Sequence, residues 1–146
     1  MRAPPLAALL AVAAVGCSAP RPHGLIRVDL AGPEAGPGSA DELHLSRVVN
    51  GSAEGLGLAC QPGGGALLLH CSAAAVGNQG RTVTITLTRS GTGYEVGIDQ
   101  AFLLPGRESP VCGIQRHLAD TIDAELARPA ARVDRRSGCP SGPDQP

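Results

Sequence analysis

The sequence predicts an α+β domain: a small antiparallel β-sheet of five or six strands with one C-terminal helix, stapled by disulfides. Three observations carry this. Residues 81–89 (RTVTITLTR) alternate aliphatic and threonine side chains, and residues 94–99 (YEVGID) alternate again after Ser90-Gly91-Thr92-Gly93. Strict alternation with one aliphatic face marks a half-buried antiparallel strand, and the Gly-containing break joins the two as a hairpin. Ile114, Leu118, Ile122 and Leu126 recur every fourth residue and make one apolar stripe of a helix over 112–128. Four cysteines, Cys60, Cys71, Cys112 and Cys139, fall within or after these elements.

The remaining elements follow in chain order. Residues 25–30 (LIRVDL) alternate and read as a first strand. Residues 31–40 (AGPEAGPGSA) are a Gly/Pro loop. Residues 39–50 carry two patterns. Ser39 with Glu42 fits the capping box of a helix. Leu43, Leu45 and Val49 instead suit a strand, with Asn50-Gly51 as its hairpin turn, and the strand is the preferred expectation. Residues 56–60 (LGLAC) and 66–71 (ALLLHC) flank Gln61-Pro62-Gly63-Gly64-Gly65 and form a second hairpin. In the second strand pair, Val83, Ile85 and Leu87 face a core and Thr82, Thr84, Thr86 and Thr88 face water. Asp120, Asp123 and Glu125 lie off the helical stripe, and Pro129 ends the helix. The organisation is a leader over 1–16, a tether over 17–24, a globular domain over 25–128 and a polar tail over 129–146.

Composition limits function. All 12 basic residues are Arg and the formal net charge is −1, which excludes a generally cationic nucleic-acid binder. Tyr94 and Phe102 are the only aromatics, so base-stacking platforms and aromatic sugar clefts lack material. The core must then be aliphatic and small, a composition that benefits from covalent staples. Four cysteines allow three pairings. Cys60–Cys71 and Cys112–Cys139 are preferred because each closes a local loop, worth about 3 kcal/mol in the chain-entropy model.

The N-terminal residues speak to location. Arg2 precedes an apolar run over 6–15 (LAALLAVAAV), followed by Gly16, Cys17, Ser18 and Ala19. A basic start, a short apolar run and small residues make an export signal. The run is about half the roughly twenty residues that a spanning helix needs. Ala14-Val15-Gly16-Cys17 resembles the lipobox of bacterial lipoproteins, with Ala14 where that family favours Leu. The resemblance implies cleavage before Cys17, a diacylglycerol on its thiol and acylation of the new amino group. Ser18 resembles the outer-membrane sorting pattern of Gram-negative members. The resemblance covers about the first twenty residues and implies nothing about the domain's fold.

No catalytic motif stands out. His70-Cys71 with Cys60, or Cys112 with His117, lacks the paired short spacing of zinc sites. His117, Asp120 and Asp123 read as one solvated helix flank rather than a catalytic set. Gly63-Gly64-Gly65 lacks the Lys-Ser/Thr of a phosphate loop. Arg128, Arg132, Arg135 and Arg136 form the one basic cluster, a soluble tail or a contact for lipid phosphates or an anionic envelope polymer. Asn50-Gly51-Ser52 matches a glycosylation acceptor, relevant only in a eukaryotic secretory pathway. The expectation is a non-enzymatic cell-envelope lipoprotein without cofactor or metal. It would be lipidated at Cys17 and disulfide-bonded through Cys60, Cys71, Cys112 and Cys139. It would act as an accessory or interaction module toward a membrane and another envelope protein, and not toward nucleic acid. The alternative is a freely secreted binding or inhibitor-like domain, cleaved after Ala19.

Overall fold

The computed structural model describes residues 23–30, 36–73, 83–100 and 109–133. Its elements are β1 (His23–Val28), α1 (Ala40–Gly55), β2 (Leu58–Pro62), β3 (Leu67–Ala73), β4 (Val83–Ser90), β5 (Gly93–Gln100), α2 (Val111–Glu125) and β6 (Ala131–Val133). The six strands form one sheet in the order β2-β3-β4-β5-β1-β6. Every neighbouring pair is antiparallel. The α+β class and the disulfide-stapled sheet are as the sequence predicts.

The β4–β5 hairpin is the centre of the sheet. Val83, Ile85 and Leu87 are buried, as are Tyr94, Val96 and Ile98. Thr84, Thr86 and Thr88 occupy the opposite, half-exposed face. Ser90 pairs with Gly93, leaving the two-residue turn Gly91-Thr92. Gly91 takes φ +58°, a left-handed conformation that suits glycine and matches the twist of the flanking strands.

Residues 40–55 are helical, which corrects the preferred strand over 41–49. Leu45, Val49 and Ala53 are buried at helical spacing, whereas Leu43 is 51% exposed. Alternation of Leu43 with Leu45 was coincidental. The nucleus that decides is Ser39, extended in backbone, whose hydroxyl accepts the Glu42 N–H at 3.2 Å and whose carbonyl accepts the Leu43 N–H at 3.0 Å. Asp41 and Glu42 then place negative charge in the first turn, which the helix dipole favours. Asn50-Gly51 lies inside α1, where Asn50 Nδ2 donates to Glu54 Oε1 at 3.0 Å one turn on.

α2 begins at Val111, and Leu118 and Ile122 of the expected stripe are fully buried. Ile114 and Leu126 pack partly against the core, and Val111, Gln115 and Ala119 complete the buried face. The helix ends at Glu125, before Pro129, and Ala127 takes φ +53°. Asp123 Oδ1 then accepts the N–H groups of Ala130 at 2.9 Å and Ala131 at 2.7 Å. That directs the chain into β6, which pairs with β1 through Ile26↔Val133, Arg27↔Arg132 and Val28↔Ala131. Strand structure thus reaches back to His23 and on to Val133, within the stretches expected as tether (17–24) and tail (129–146).

The helices touch each other and the sheet. Their buried residues join those of the strands in a single cluster. The result is two layers, with the core between the helices and one sheet face. Close approach of α2 to β1 occurs at Gly24, where an added Cβ would lie 3.2–3.3 Å from Gln115 and Val111 atoms. Gln115, itself buried, donates from Nε2 to the Leu25 carbonyl at 3.2 Å.

Two measurements test this packing. Ile85→Ala is expected to cost about 2–5 kcal/mol in urea denaturation, as core truncations do. Thr84→Ala, on the open face, should stay within about 0.5 kcal/mol. Equal effects would mean the buried face is misassigned. Non-reducing peptide mapping is expected to recover Cys60 linked to Cys71 and Cys112 linked to Cys139. Recovery of Cys60 with any other cysteine would contradict the β2–β3 register.

Candidate functional site

The most organised polar cluster gathers at the N-terminus of α1. Glu42 is a first-turn residue of the helix whose side chain is 5% exposed. A buried carboxylate is costly unless paired and hydrogen-bonded. Arg89, near the end of β4, meets it with both arms of its guanidinium. Nε donates to Oε2 at 2.8 Å and Nη2 to Oε1 at 2.6 Å. Such forked geometry is the strong form of a carboxylate pair. The Tyr94 hydroxyl, from the first turn of β5 after the hairpin, donates to Oε2 at 2.7 Å. The Gly38 N–H donates to Oε1 at 3.1 Å. The carboxylate thus binds the loop before α1, the helix, β4 and β5 at one point. Arg89 Nη1 adds the Gly65 carbonyl at 3.3 Å, which brings in the β2–β3 turn.

The local sequence explains how Glu42 reaches this place. Ser39 caps the helix as a capping box requires, but the reciprocal contact falls one residue earlier. Glu42 takes the Gly38 N–H, while the Ser39 N–H goes to the Gly36 carbonyl at 2.9 Å. That leaves the carboxylate free to turn inward. The antiparallel register pairs Arg89 with Tyr94 across the hairpin, so the two partners come as a unit.

The electrostatics follow from these bonds. The Arg89 hydrogen bonds, with help from Gly38 and Tyr94, outweigh burial and lower the Glu42 carboxyl from 4.5 to about 2. Burial first, then the bond to anionic Glu42, raises the Tyr94 hydroxyl from 10.0 to about 12. Glu42 raises Arg89 further above its ordinary value. A general acid or base works best with a pKa near the working pH. All three groups are displaced away from neutrality, so this cluster holds shape and is poorly suited to moving protons.

The residues singled out in the sequence are dispersed. Cys60 and Cys71 stand directly opposite each other in the β2–β3 register and are joined as a disulfide, with Cys71 fully buried. Their sulfurs are oxidised and hold no metal. Cys112 is also disulfide-bonded. Cys17 and Cys139 lie outside the described residues, as do Thr82, Arg135 and Arg136. His70 is exposed on the open sheet face, opposite Gln61 and Thr86. His117 and Asp120 are exposed on α2, in the other layer. Asp123 is engaged with the backbone of β6. His70 therefore lies in the sheet layer, apart from the three residues of α2. Gly63-Gly64-Gly65 belongs to the β2–β3 turn, where the Gly63 N–H donates to the Leu68 carbonyl at 3.1 Å. Arg128 donates to Asp41 at 3.0 Å and ties the segment after α2 to the first turn of α1. Among the described residues no three His, Cys, Asp or Glu side chains are arranged to hold a metal ion.

A second polar region lies on the open face. His23 Nδ1 is 2.6 Å from Asp99 Oδ1, and Arg27 Nη1 is 3.5 Å from Glu95 Oε1. Between these rows stand Thr86 and Gly97, paired across β4 and β5. Sequence reading missed the role of Glu42, Arg89 and Tyr94. The available signal was the Ser39–Glu42 spacing together with a lone tyrosine at the start of a strand.

Comparison of the chain with protein-family models, with curated proteins and with solved structures finds no match.

The cluster has a pH signature. Glu42 ionises more readily folded than unfolded, so its contribution is present above about pH 4.5 and is lost as pH falls toward 2. Tyr94 holds its proton more tightly when folded, so its contribution is present below about pH 10 and is lost as pH rises toward 12. Denaturation midpoints should be flat between these limits and fall on both sides. Glu42→Gln is expected to lower the denaturation midpoint at neutral pH, since the amide cannot keep the charge-assisted hydrogen bonds from both Arg89 and Tyr94. It should also flatten the acid limb. An acid limb unchanged in that variant would show that other carboxylates control it.

Proposed function

We propose that the protein is a non-enzymatic cell-envelope lipoprotein, an accessory or interaction module held at a membrane surface by acyl chains on Cys17. The observation that carries the reading is Gly16-Cys17 at the end of the apolar run over 6–15. Two or three acyl chains, each contributing about 0.8 kcal/mol per buried methylene, anchor stably where one does not. Ser18 favours the outer membrane in a Gram-negative envelope. Among the described residues no helix is long and apolar enough to cross a membrane.

Two structural facts are consistent with this role. The Cys60–Cys71 disulfide suits an oxidising compartment. The hydrogen-bonded ionisable groups Glu42, Arg89 and Tyr94 are engaged in joining elements of the fold. What such a module contributes is a stable shape at a defined place.

Small residues at Cys17-Ser18-Ala19 support a second reading, cleavage after Ala19 and release as a secreted binding domain. Intact mass of the mature protein separates the two. Acyl mass on Cys17, partition into detergent, and loss of both in Cys17→Ser are expected. An unmodified chain beginning at Pro20 would overturn the lipoprotein in favour of the secreted form.

A further inference from the structure

The open face of the sheet carries charge in two adjacent columns. Gly24 faces α2, where an added Cβ would lie 3.2–3.3 Å from Gln115 and Val111 atoms. Side chains alternate along a strand, so His23, Leu25 and Arg27 point to the other face. On β5 that face carries Glu95, Gly97 and Asp99, which alternate with the buried Tyr94, Val96 and Ile98. The antiparallel register sets His23 beside Asp99, Leu25 beside Gly97 and Arg27 beside Glu95. One column thus has basic side chains at both ends and a leucine between them. Its neighbour has carboxylates at both ends and a glycine between them. These charged side chains stay accessible, 46% and 56% for His23 and Asp99, and 50% and 29% for Arg27 and Glu95.

Gly97 leaves a shallow gap in this face, between Leu25 on β1 and Thr86 on β4. The Thr86 hydroxyl borders it closely, since a Cβ added at Gly97 would lie 2.9 Å from Thr86 Oγ1. Glycine in a strand interior weakens the strand and marks a place where another group approaches the backbone.

We propose that this face receives a second copy of the chain. A two-fold axis parallel to the strands, between β1 and β5, lays β1 of each copy over β5 of the other. That axis preserves height along the strands. Leu25 of each copy therefore meets Gly97 of the other, Arg27 meets Glu95 and His23 meets Asp99. Each carboxylate keeps the basic neighbour of its own sheet and gains another across the interface. A two-fold axis across the strands would instead stack Arg27 over His23 and Glu95 over Asp99. Like charges so placed are costly, which favours the parallel axis. A patch complementary to itself about one axis is what a closed two-fold dimer requires. Sheets stack face to face about 10 Å apart with strands within about 30° of each other, which this axis permits. Only β4, β5, β1 and β6 overlap in this arrangement, and the contact is largely polar. The dimer therefore belongs with small, wet, reversible interfaces. It is independent of how the chain is anchored.

Sedimentation equilibrium tests this on the full chain, in density-matched detergent that accommodates any acyl chains. A monomer–dimer equilibrium that weakens with salt is expected. Arg27→Glu makes the two columns acidic at that end, and Glu95→Arg makes them basic. Each alone should weaken the dimer about tenfold or more, since like charges then face each other. Exposed ion pairs contribute little to stability, so both variants should melt close to the parent. Mixed in equal amounts, R27E and E95R should associate with near-parent affinity, because each then meets its opposite. Leu25→Ser should weaken the dimer with no rescue by either variant, and it keeps the test open if a charge variant fails to fold. A chain that stays monomeric at all concentrations overturns the proposal and gives the face to another segment of this chain or to a different protein. A dimer indifferent to all three substitutions places the contact elsewhere and overturns it as well. Weakening by both charge variants without restoration on mixing overturns the arrangement about the parallel axis.

Discussion

The fold depends on one buried carboxylate. Glu42 is taken out of water at the start of α1 and remains ionised because Arg89, Tyr94 and the Gly38 N–H satisfy it. Each partner comes from a different part of the chain. Remove the arginine, and an unpaired buried charge must be hydrated or protonated, which pulls the helix from the sheet. Remove the glutamate, and the end of the β4–β5 hairpin loses the contact that holds it against the helix layer. In a domain with one tyrosine and one phenylalanine, such a polar lock carries specificity that larger domains obtain from aromatic packing.

The other tie points work in the same way, at the margins of the small aliphatic core. The Cys60–Cys71 disulfide secures β2, an edge strand held by hydrogen bonds on one side only. Gln115 reaches from α2 to the Leu25 carbonyl and fixes the helix against β1. Asp123 anchors the two N–H groups that begin β6. Apart from the buried Cys71, these tie points are polar. All specify where a helix or an edge strand sits, which an aliphatic interface with few large side chains leaves underdetermined. Such a division of labour fits a module whose contribution is a shape held in place.

The sheet's open face is a different environment. Threonines of β4 and the pairs His23–Asp99 and Arg27–Glu95 cover it with hydroxyls and charges of both signs. A one-sided antiparallel sheet tolerates this because its outer side chains remain in water. The charges there are locally balanced, each cation lying beside a carboxylate on the neighbouring strand.

The hairpin over 81–99, the paired cysteines of the β2–β3 hairpin and the second helix were legible in the sequence. Each is set by local information: period-two alternation, a Gly turn, or a four-residue apolar repeat. Residues 39–50 show the limit. Their aliphatic spacing suits both periods, and the decision lay with Ser39 and Glu42, whose capping signal was present but outweighed by an apparent alternation. β6 was hidden because three residues form no pattern, and only the exposed edge of β1 and the Asp123 carboxylate make them a strand. By itself, then, the sequence determined the class of fold and the Cys60–Cys71 staple, because these depend on neighbours in the chain. Only tertiary structure decided that Glu42, Arg89 and Tyr94 meet, and that β6 pairs with β1. Such contacts join residues tens of positions apart, and their energy exists only once the sheet has brought them together.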